Sequence, residues 1–431
     1  MRYDCIIIGA GVAGLTAGIR CAKEGLHTAI ISSGMSALHF SSGSIDLLGY
    51  RDNTVVYKPF EAIDQLTGTI AQHPYTKCGK PLIIEALLFF KQECEQQGLF
   101  LFDNGNLNHF HVTTLGTLKP TYFSQRSVFN EDVYSRFKAM KKIVIINFEG
   151  YRDFHPQLAA AQLSKHSLFA NCEIVAKQIE MPQLQDDGKY PHEFRSVDIA
   201  RIFEKEANIE KIADVIRLAA DDADFVVMPA VMGITNFNQI HNKLQSRTRL
   251  LVYEVPTLPP SILGMRIDNA LKSRFAELGG VYIAGDKVVR ADITDDVVNA
   301  IYTNSHPENP MEAQCYILST GSFFSGGLVS EFDNMYEPIF KLKLHHEPER
   351  NKWYNQNFFH RDSHAFLQYG VLTDESLRPY DSNNNIIQNL YCSGAIMAHY
   401  NPIKEGCGSG VAISTGYKAA GQIINLLKRM S

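Results

Sequence analysis

A glycine-rich turn near the N-terminus offers the clearest chemistry in this 431-residue chain. Residues 9–14 read Gly-Ala-Gly-Val-Ala-Gly, after an apolar run at 5–8 and before a segment of helical composition. In a strand–turn–helix unit with this spacing, Gly9 permits the tight turn, Gly11 lets a phosphate approach the backbone, and Gly14 lets the helix pack on the strand. The phosphate then faces the positive end of the helix. The sequence therefore predicts a dinucleotide-binding unit.

The second predicted strand of this unit, residues 27–31, ends at Ser32 and Ser33. Dinucleotide-binding units usually carry Asp or Glu at this point, to hold the ribose hydroxyls of an adenosine. A serine hydroxyl can hydrogen-bond a ribose, but it lacks the charge-assisted strength of a carboxylate. The sequence therefore predicts binding of a cofactor's phosphate, and it predicts that an adenosine group is bound weakly or not at all.

Small and hydroxyl-bearing residues follow in the stretch 37–46, which reads ALHFSSGSID. A loop that leaves the carboxyl edge of a parallel sheet lies where ligands bind. Small side chains would let a flat ring approach the backbone, and hydroxyls could bond its heteroatoms. The alternative is a flexible serine-rich connector. The candidate cofactor contacts in this stretch are Ser41, Ser42, Gly43 and Ser44.

Further glycine-containing stretches occur late in the chain. Buried-strand patterns at 315–318 and 389–393 each run into small residues, and a glycine-rich run at 406–410 precedes a helical segment at 411–427. A helix N-terminus stabilises the negative charge that reduction places on a flavin ring. The alternative for the last run is a glycine-rich turn before a terminal helix. The candidate contacts are Thr320, Gly321, Gly394, Gly406, Gly408 and Gly410.

Composition excludes several classes of protein. Hydrophobic residues make up 45% of the chain, charged residues 20%, and the net charge is -5, as in an ordinary soluble protein with no support for nucleic-acid binding. The eight cysteines form no C-x-x-C pair, so neither a zinc nor an iron–sulfur site is predicted, and no metal is expected. The chain shows no signal-peptide pattern and no membrane-spanning segment, which predicts a cytoplasmic location.

The elements that must position these motifs alternate between strands and helices. Residues 51–257 lack a second glycine fingerprint and are interpreted as an inserted cap domain. After Pro260, helical periodicity returns, and the apolar segments 281–284 and 287–291 flank Gly285-Asp286, which predicts a β-hairpin.

Taken together, the motifs resemble a known family. GAGVAG, ILSTG and the C-terminal GVLTD, NLYCSG and EGCGSG are similar to a flavoprotein pattern with two dinucleotide-binding segments. SALHFSSGSIDLLG and EGCGSGVAISTGYKAAG resemble the B subunit of anaerobic glycerol-3-phosphate dehydrogenase. The resemblance implies an α/β fold with a Rossmann-like FAD/NAD(P)-binding flavoprotein domain built from discontinuous segments. The expected segments are 1–50, 258–330 and 386–431, with 51–257 and 331–385 forming an inserted α+β cap domain.

The same resemblance implies an activity and partners. Members oxidise sn-glycerol 3-phosphate to dihydroxyacetone phosphate and pass electrons to quinone, together with a catalytic flavoprotein (the A subunit) and an iron–sulfur membrane anchor (the C subunit). We therefore expect a cytoplasmic chain attached peripherally to the membrane through these partners, with some apolar surface exposed when it is alone. FMN is the expected cofactor, which suits the missing carboxylate at Ser32, and FAD is the alternative. The acidic residue common after the last flavoprotein strand is also absent, since Ala395 follows Gly394.

Oxidation of this substrate needs a base for the C2 hydroxyl and cations for the phosphate. The candidate bases are His399 and His39, because each lies beside a predicted flavin contact. The candidate phosphate ligands are Lys404, Arg361 and Arg378. For each residue, the alternative is an ordinary surface or core position. Two other functions also remain open, a protein that only relays electrons within the same complex and a different flavoprotein reductase of the same fold.

Overall fold

The computed structural model describes residues 2–129, 142–181 and 194–430. Its helices are α1 Val12–Lys23, α2 Pro59–Thr67, α3 Pro74–Cys78, α4 Lys80–Glu95, α5 Pro156–Leu163, α6 Ser196–Glu204, α7 Glu206–Ala220, α8 Phe237–Thr248, α9 Ile262–Glu277, α10 Pro402–Glu405 and α11 Gly408–Met430. Its strands are β1 Arg2–Ile8, β2 Thr28–Ser32, β3 Tyr50–Arg51, β4 Thr54–Val55, β5 Leu101–Phe102, β6 His109–Val112, β7 Leu118–Thr121, β8 Ser124–Gln125, β9 Lys142–Phe148, β10 Glu173–Ile179, β11 Phe225–Pro229, β12 Leu251–Val255, β13 Val281–Ala284, β14 Val288–Thr294, β15 Val297–Thr303, β16 Glu312–Leu318, β17 Val329–Ser330, β18 Met335–Tyr336, β19 Leu344–His345, β20 Gly370–Val371 and β21 Leu390–Cys392.

A five-stranded parallel sheet forms the centre of the molecule, in the order β13-β2-β1-β16-β21. Its inner strands are almost wholly apolar because helices cover the sheet, as is usual for parallel strands. Helix α1 packs against both α9 and α11. Residues far apart in sequence thus build one sheet, which confirms the predicted α/β, Rossmann-like architecture.

A second parallel sheet, in the order β10-β9-β11-β12, lies within the predicted insertion and has its own hydrophobic core. Short antiparallel pairs, β5 with β8 and β6 with β7, precede it in the chain. Parallel neighbouring strands need crossover connections, and the helices α5 to α8 lie in those connections. The largest sheet of the insertion is therefore parallel, a feature that the sequence patterns did not indicate.

A buried ion pair joins helix α9 to the second sheet. Arg266 of helix α9 contacts Glu254 of β12 through two bonds of 2.7 and 3.1 Å, and both side chains are 0% exposed. The Arg266 Nε also donates to the carbonyl oxygen of Gly233. The Glu254 carboxylate also accepts hydrogen bonds from Ser127 Oγ at 2.6 Å and from the Met232 N–H at 2.8 Å. This network is a polar link between helix α9 and the insertion, beside the hydrogen bond from Gln125 Nε2 to the Leu263 carbonyl oxygen.

The predicted hairpin around Gly285-Asp286 is wrong. Strand β13 pairs in parallel with β2, and the hairpin forms one step later, between β14 and β15. Its two-residue turn is Asp295-Asp296, with φ of 50° and 62°. Positive φ at both positions is the geometry that matches the twist of paired strands. Within the described ranges, no helix combines the length and the apolar character needed to cross a membrane.

Candidate functional site

The glycine turn between β1 and α1 has three distinct local geometries. Gly9 has φ of 110°, and a Cβ there would overlap the Ser319 carbonyl group. A Cβ at Gly14 would overlap the carbonyl oxygen of Gly9, so this glycine allows close packing of the helix on the turn. A Cβ at Gly11 would meet nothing within 4 Å. Only Gly11 therefore faces open space, as a phosphate-facing glycine must.

The polar groups around this open space are not used by the protein. Gly11 is the N-cap of α1, and no side chain caps the helix. The N–H groups of a helix's first turn have no partner within the helix, and the macrodipole favours an anion beside them. Thr320, whose N–H group lies beside Gly9, has a buried hydroxyl with no hydrogen-bond partner among the described residues. These groups fit the phosphate of a cofactor. Gly321, with φ of 79°, follows Thr320 at the same carboxyl edge of the sheet.

At the end of β2, where an adenosine ribose would lie, the side chains on offer are the hydroxyls of Ser32 and Ser33. Ser32 is 7% exposed and its Oγ donates to the Gly34 carbonyl oxygen at 2.9 Å, while Ser33 is exposed. The neighbouring strand β13 ends beside Ser32, where Gly285 N–H donates to its carbonyl oxygen. Asp286 follows, but its Oδ1 accepts the N–H groups of Lys287 and Ser305. That oxygen therefore already has two backbone partners.

The serine-rich stretch is a hydrogen-bonded loop, which argues against the flexible connector. Ser41 Oγ donates to the Leu38 carbonyl oxygen and accepts from Gly43 N–H, and a Cβ at Gly43 would overlap Leu263 of α9. The Ser42 and Ser44 hydroxyls are 2.7 Å apart. Lys119 of β7 donates to both hydroxyls and to the Asp46 carboxylate at 2.5 Å. Sequence reasoning missed Lys119, because its 73-residue separation from Asp46 leaves no local signal.

The four C-terminal candidate glycines have different surroundings. Gly394 has φ of 74° and lies against helix α1, where a Cβ would approach that of Ala13 at 2.8 Å. Gly406 ends helix α10 in the left-handed conformation. Gly410 donates its N–H to the Asp46 carbonyl oxygen, and the Tyr75 hydroxyl occupies the space of its missing Cβ. Packing thus explains why residue 410 is a glycine, and its role as a cofactor contact stays a prediction. Gly408 lies at the first position of α11.

His399 lies on the segment between β21 and α10. Its φ is 69°, unusual for a residue with a side chain, and its N–H donates to the Gln368 carbonyl oxygen. The ring centroids of His399 and His345 are 4.1 Å apart. Burial, and then the nearby His345, Lys77 and His73, lower the pKa of His399 to about 4. The imidazole is therefore neutral near pH 7, which is the form that a general base requires.

His39 lies in a different cluster. Its Nε2 is 3.0 Å from the carboxylate of Asp268, which is 2% exposed and also pairs with Lys272 at 2.6 Å. Ser36 Oγ donates to the same carboxylate. This cluster belongs to the start of the serine loop and to helix α9, whereas the ring neighbour of His399 is His345. The structure thus favours a positioning role for His39, anchoring the serine loop to helix α9, over the predicted catalytic one.

Two of the three candidate phosphate ligands lie together. Lys404 Nζ and Arg361 Nε are 3.7 and 4.0 Å from the same carboxylate oxygen of Asp362. Arg378 is elsewhere, held by Asp374 through contacts of 2.8 and 2.9 Å and by Gln388 at 2.7 Å. Its guanidinium therefore binds within the loop that it closes, and Arg378 as a phosphate ligand stays a prediction that these contacts do not favour.

A surface pocket lies beside the segment that carries His399, and its empty space, open solvent included, is about 440 Å³. Its lining is mainly apolar and comprises Ser322, Phe323, Phe324, Phe366, Leu367, Ala395, Met397, Tyr400, Pro402 and Ile403. Leu367 and Tyr400 are the chain neighbours of Gln368 and His399. The predicted base and this pocket therefore share the same part of the fold.

One trio, two of whose members are buried, has the donor types of a metal site. The ligand atoms of His73, Glu405 and Cys407 all lie within 4.8 Å of one another. However, His73 Nδ1 accepts the Tyr75 N–H at 3.0 Å, so the ring proton must lie on Nε2, which is 3.0 Å from the Glu405 carboxylate. Cys407 donates to the same carboxylate. The trio is thus a satisfied hydrogen-bond network, because metal binding at Nε2 would leave two protons facing each other at Nδ1.

Comparison with known proteins gives consistent matches. Residues 4–411 match the family model of an FAD binding domain, which indicates a flavin cofactor and favours FAD over the expected FMN. The B subunit of anaerobic glycerol-3-phosphate dehydrogenase from Vibrio cholerae is 38% identical over 426 residues, covering 98% of this chain and 97% of that protein. The B subunit from Pasteurella multocida is 40% identical over 430 residues, covering 98% and 99%.

Solved structures with a similar arrangement are more distant. A 3-ketosteroid delta1-dehydrogenase from Sterolibacterium denitrificans is 11% identical, with a TM-score of 0.47, covering 99% of this chain and 100% of that one. In contrast, each of the two B subunits is 38% or more identical to this chain, over nearly the full length of the chain and of the relative. The chain therefore belongs to the B-subunit family of anaerobic glycerol-3-phosphate dehydrogenases, within the FAD binding domain flavoproteins.

Proposed function

We propose that this chain is a flavin-dependent dehydrogenase subunit that oxidises sn-glycerol 3-phosphate to dihydroxyacetone phosphate. The observation that carries the proposal is the 38–40% identity, over nearly the whole chain, to relatives named for this enzyme. Their name as subunits supports a multi-subunit assembly. We propose that its other members are a catalytic flavoprotein and an iron–sulfur protein that passes electrons to quinone. In this proposal, the chain is cytoplasmic and reaches the membrane only through those partners.

The cofactor phosphate is proposed to lie over Gly11, where the first-turn N–H groups of α1 and the Thr320 hydroxyl can donate to it. A bound flavin would accept the two electrons and the hydrogen that leave C2 of the substrate. Gly9 and Gly14 keep the turn tight enough for this approach. The serine loop, held by Lys119 and by His39, fixes the wall of the site on the other side of the turn.

His399 is proposed to take the proton of the C2 hydroxyl while the C2–H bond breaks. Its neutral imidazole supplies the lone pair, and its backbone is fixed through the Gln368 carbonyl oxygen. Arg361 and Lys404 are proposed to bind the phosphate, which would replace Asp362 as their anionic partner. A dianionic phosphate matches two cations in charge, and arginine can bind two of its oxygens at once.

We predict that His399→Gln lowers kcat by about 100-fold or more, the typical contribution of a general base. His306→Gln, an exposed histidine in the loop after β15, is the matched control and should retain full activity. Because the pKa of His399 is about 4, kcat of the wild type, measured at saturating substrate so that titration of the substrate phosphate does not enter, should stay flat down to about pH 5 and fall only below it. A rate that instead follows a group titrating near an ordinary histidine pKa of about 6.5 would contradict the assignment.

We predict that the cofactor released by denaturation is FMN, at one equivalent per chain. The reason is that the end of β2 offers the hydroxyls of Ser32 and Ser33 in place of a carboxylate. Mass determination of the released flavin is the measurement. Full occupancy by FAD, which the family match favours, would show that hydroxyls alone can hold the adenosine ribose here.

Electron relay without substrate oxidation is a second candidate function. The apolar lining of the pocket beside His399 favours it, since glycerol 3-phosphate is highly polar. Mixing the purified chain alone with glycerol 3-phosphate under argon separates the two functions. Loss of the visible flavin absorbance band supports oxidation by this chain, whereas an unchanged spectrum in a flavin-loaded sample supports relay.

A further inference from the structure

A second imidazole, that of His345, lies against the ring of His399. The two ring centroids are 4.1 Å apart, and the ring planes are tilted by 38° to each other. At this separation the two rings are in van der Waals contact. His345 is exposed, whereas His399 is partly buried. The pair therefore extends from the candidate base to the surface of the protein.

The backbone brings the two rings together through three segments that lie side by side. His345 of β19 pairs with Gly370 of β20. On the other side of β20, the Ala398 N–H donates to the Val371 carbonyl oxygen. A Cβ at Gly370 would lie 2.5–2.6 Å from backbone atoms of residues 396–398, so glycine is needed for this close approach. The contact between the histidines is thus set by the backbone, although the residues are 54 positions apart.

Two imidazoles in contact hold one proton readily and resist a second, because like charges this close repel each other. His345 takes the first proton, since it is the more exposed ring and water stabilises its charge. Its charge is then the largest cause, after burial, of the low pKa of His399. The other titratable groups around the pair are His346, Glu347 and Tyr369 beside His345, and Lys77 and His73 beside His399. Glu347 is the one carboxylate in this set, and its position beside His345 also favours the proton there.

We propose that His345 is the positioning residue of the base: it fixes the plane of the His399 ring and carries the positive charge of the pair in acid, so that His399 stays unprotonated. This inference rests on the proposed function, in which His399 is the base. In each turnover, the O–H bond of the substrate's C2 hydroxyl breaks and an N–H bond forms on His399. Because a cation at His399 is disfavoured beside His345 and Lys77, the proton then passes to water, which restores the base.

The test measures the protonation of His399 directly, by NMR titration of the flavin-loaded chain made with isotope-labelled histidine, and the pH dependence of kcat at saturating substrate. His399→Gln assigns the His399 signal. His345→Gln removes the charge and keeps a polar side chain of similar size. His345→Arg supplies a permanent cation, whose planar guanidinium can stack on an imidazole. The matched control is His346→Gln, the next residue along, whose ring contacts Tyr369 at 6.3 Å.

In His345→Gln, we expect His399 to titrate about one pH unit or more above its wild-type value, because removing a like charge favours the protonated ring. At pH 5, kcat of this variant should therefore be about half of its own plateau or lower. His345→Arg should titrate no higher than the wild type, and His346→Gln should titrate as the wild type does.

An unchanged titration of His399 in His345→Gln would overturn the proposal. So would an arginine variant that behaves like the glutamine variant, because the contact would then be one of packing alone. If the titration shifts as expected but His399→Gln keeps the wild-type rate, or the chain alone shows no turnover, the interaction of the pair stands and the proposed function fails. The NMR signal thus separates the two, since it does not depend on catalysis.

Discussion

A Gly11→Val variant is expected to fold like the wild type and to retain less than a tenth of its flavin. The space beyond Gly11 is empty in the protein, so a branched side chain meets no atom within 4 Å of its Cβ. That same space is where a phosphate would meet the N–H groups of α1, and each charge-assisted hydrogen bond lost costs about 1.5–3 kcal/mol. Losing two such bonds exceeds the roughly 1.4 kcal/mol that corresponds to a tenfold loss of affinity.

Circular dichroism and thermal unfolding measure the fold, and visible absorbance measures the flavin. Gly14→Val is the informative comparison, because its Cβ would overlap the Gly9 carbonyl oxygen and should prevent stable folding. Gly11→Ala should lie between the wild type and Gly11→Val in flavin content. A full flavin complement in Gly11→Val would contradict the placement of the phosphate.

An Arg266→Met variant is expected to lose about 3–5 kcal/mol of unfolding free energy, the usual cost of removing one partner of a buried ion pair. Methionine keeps much of the apolar volume, but it leaves the Glu254 carboxylate uncompensated at 0% exposure. Chemical denaturation followed by fluorescence gives the measurement. The double variant Arg266→Met, Glu254→Leu should recover much of the loss, since no charge is then left buried.

The pH dependence of stability tests the same pair. Burial by itself raises the pKa of Glu254, but Arg266, Ser127 and the Met232 N–H outweigh burial and lower it. A carboxyl with a lowered pKa stabilises the folded state above its unfolded pKa of about 4.3. That stabilisation is lost as pH falls through the folded value. The wild type should therefore lose stability in acid more steeply than the double variant, and parallel curves would contradict this account.

Local patterns were sufficient to predict the glycine turn, because its strand, turn and helix are contiguous in sequence. The surroundings of His399 were not predictable, since His345 and Lys77 come from elements 54 and 322 positions away. The partner of Arg378 is local, because Asp374, four residues earlier, accepts both its N–H and its guanidinium within a turn, but the helix rule for this spacing does not apply to a non-helical segment. The strands of the insertion's parallel sheet were visible in the sequence only as isolated apolar segments, and such segments do not show whether strands pair in parallel or antiparallel.

Helix α9 links two parts of the molecule that the chain keeps far apart. Its residue Asp268 holds His39 of the serine loop, while Arg266, two positions earlier, holds Glu254 of the insertion. Two positions correspond to about 3 Å along a helix, so both attachments move as one rigid body. A displacement of the insertion would therefore also displace the serine loop, which is proposed to line the flavin site. We expect the fluorescence of a bound flavin to respond to such a displacement, which would report the insertion's position in real time without an added label.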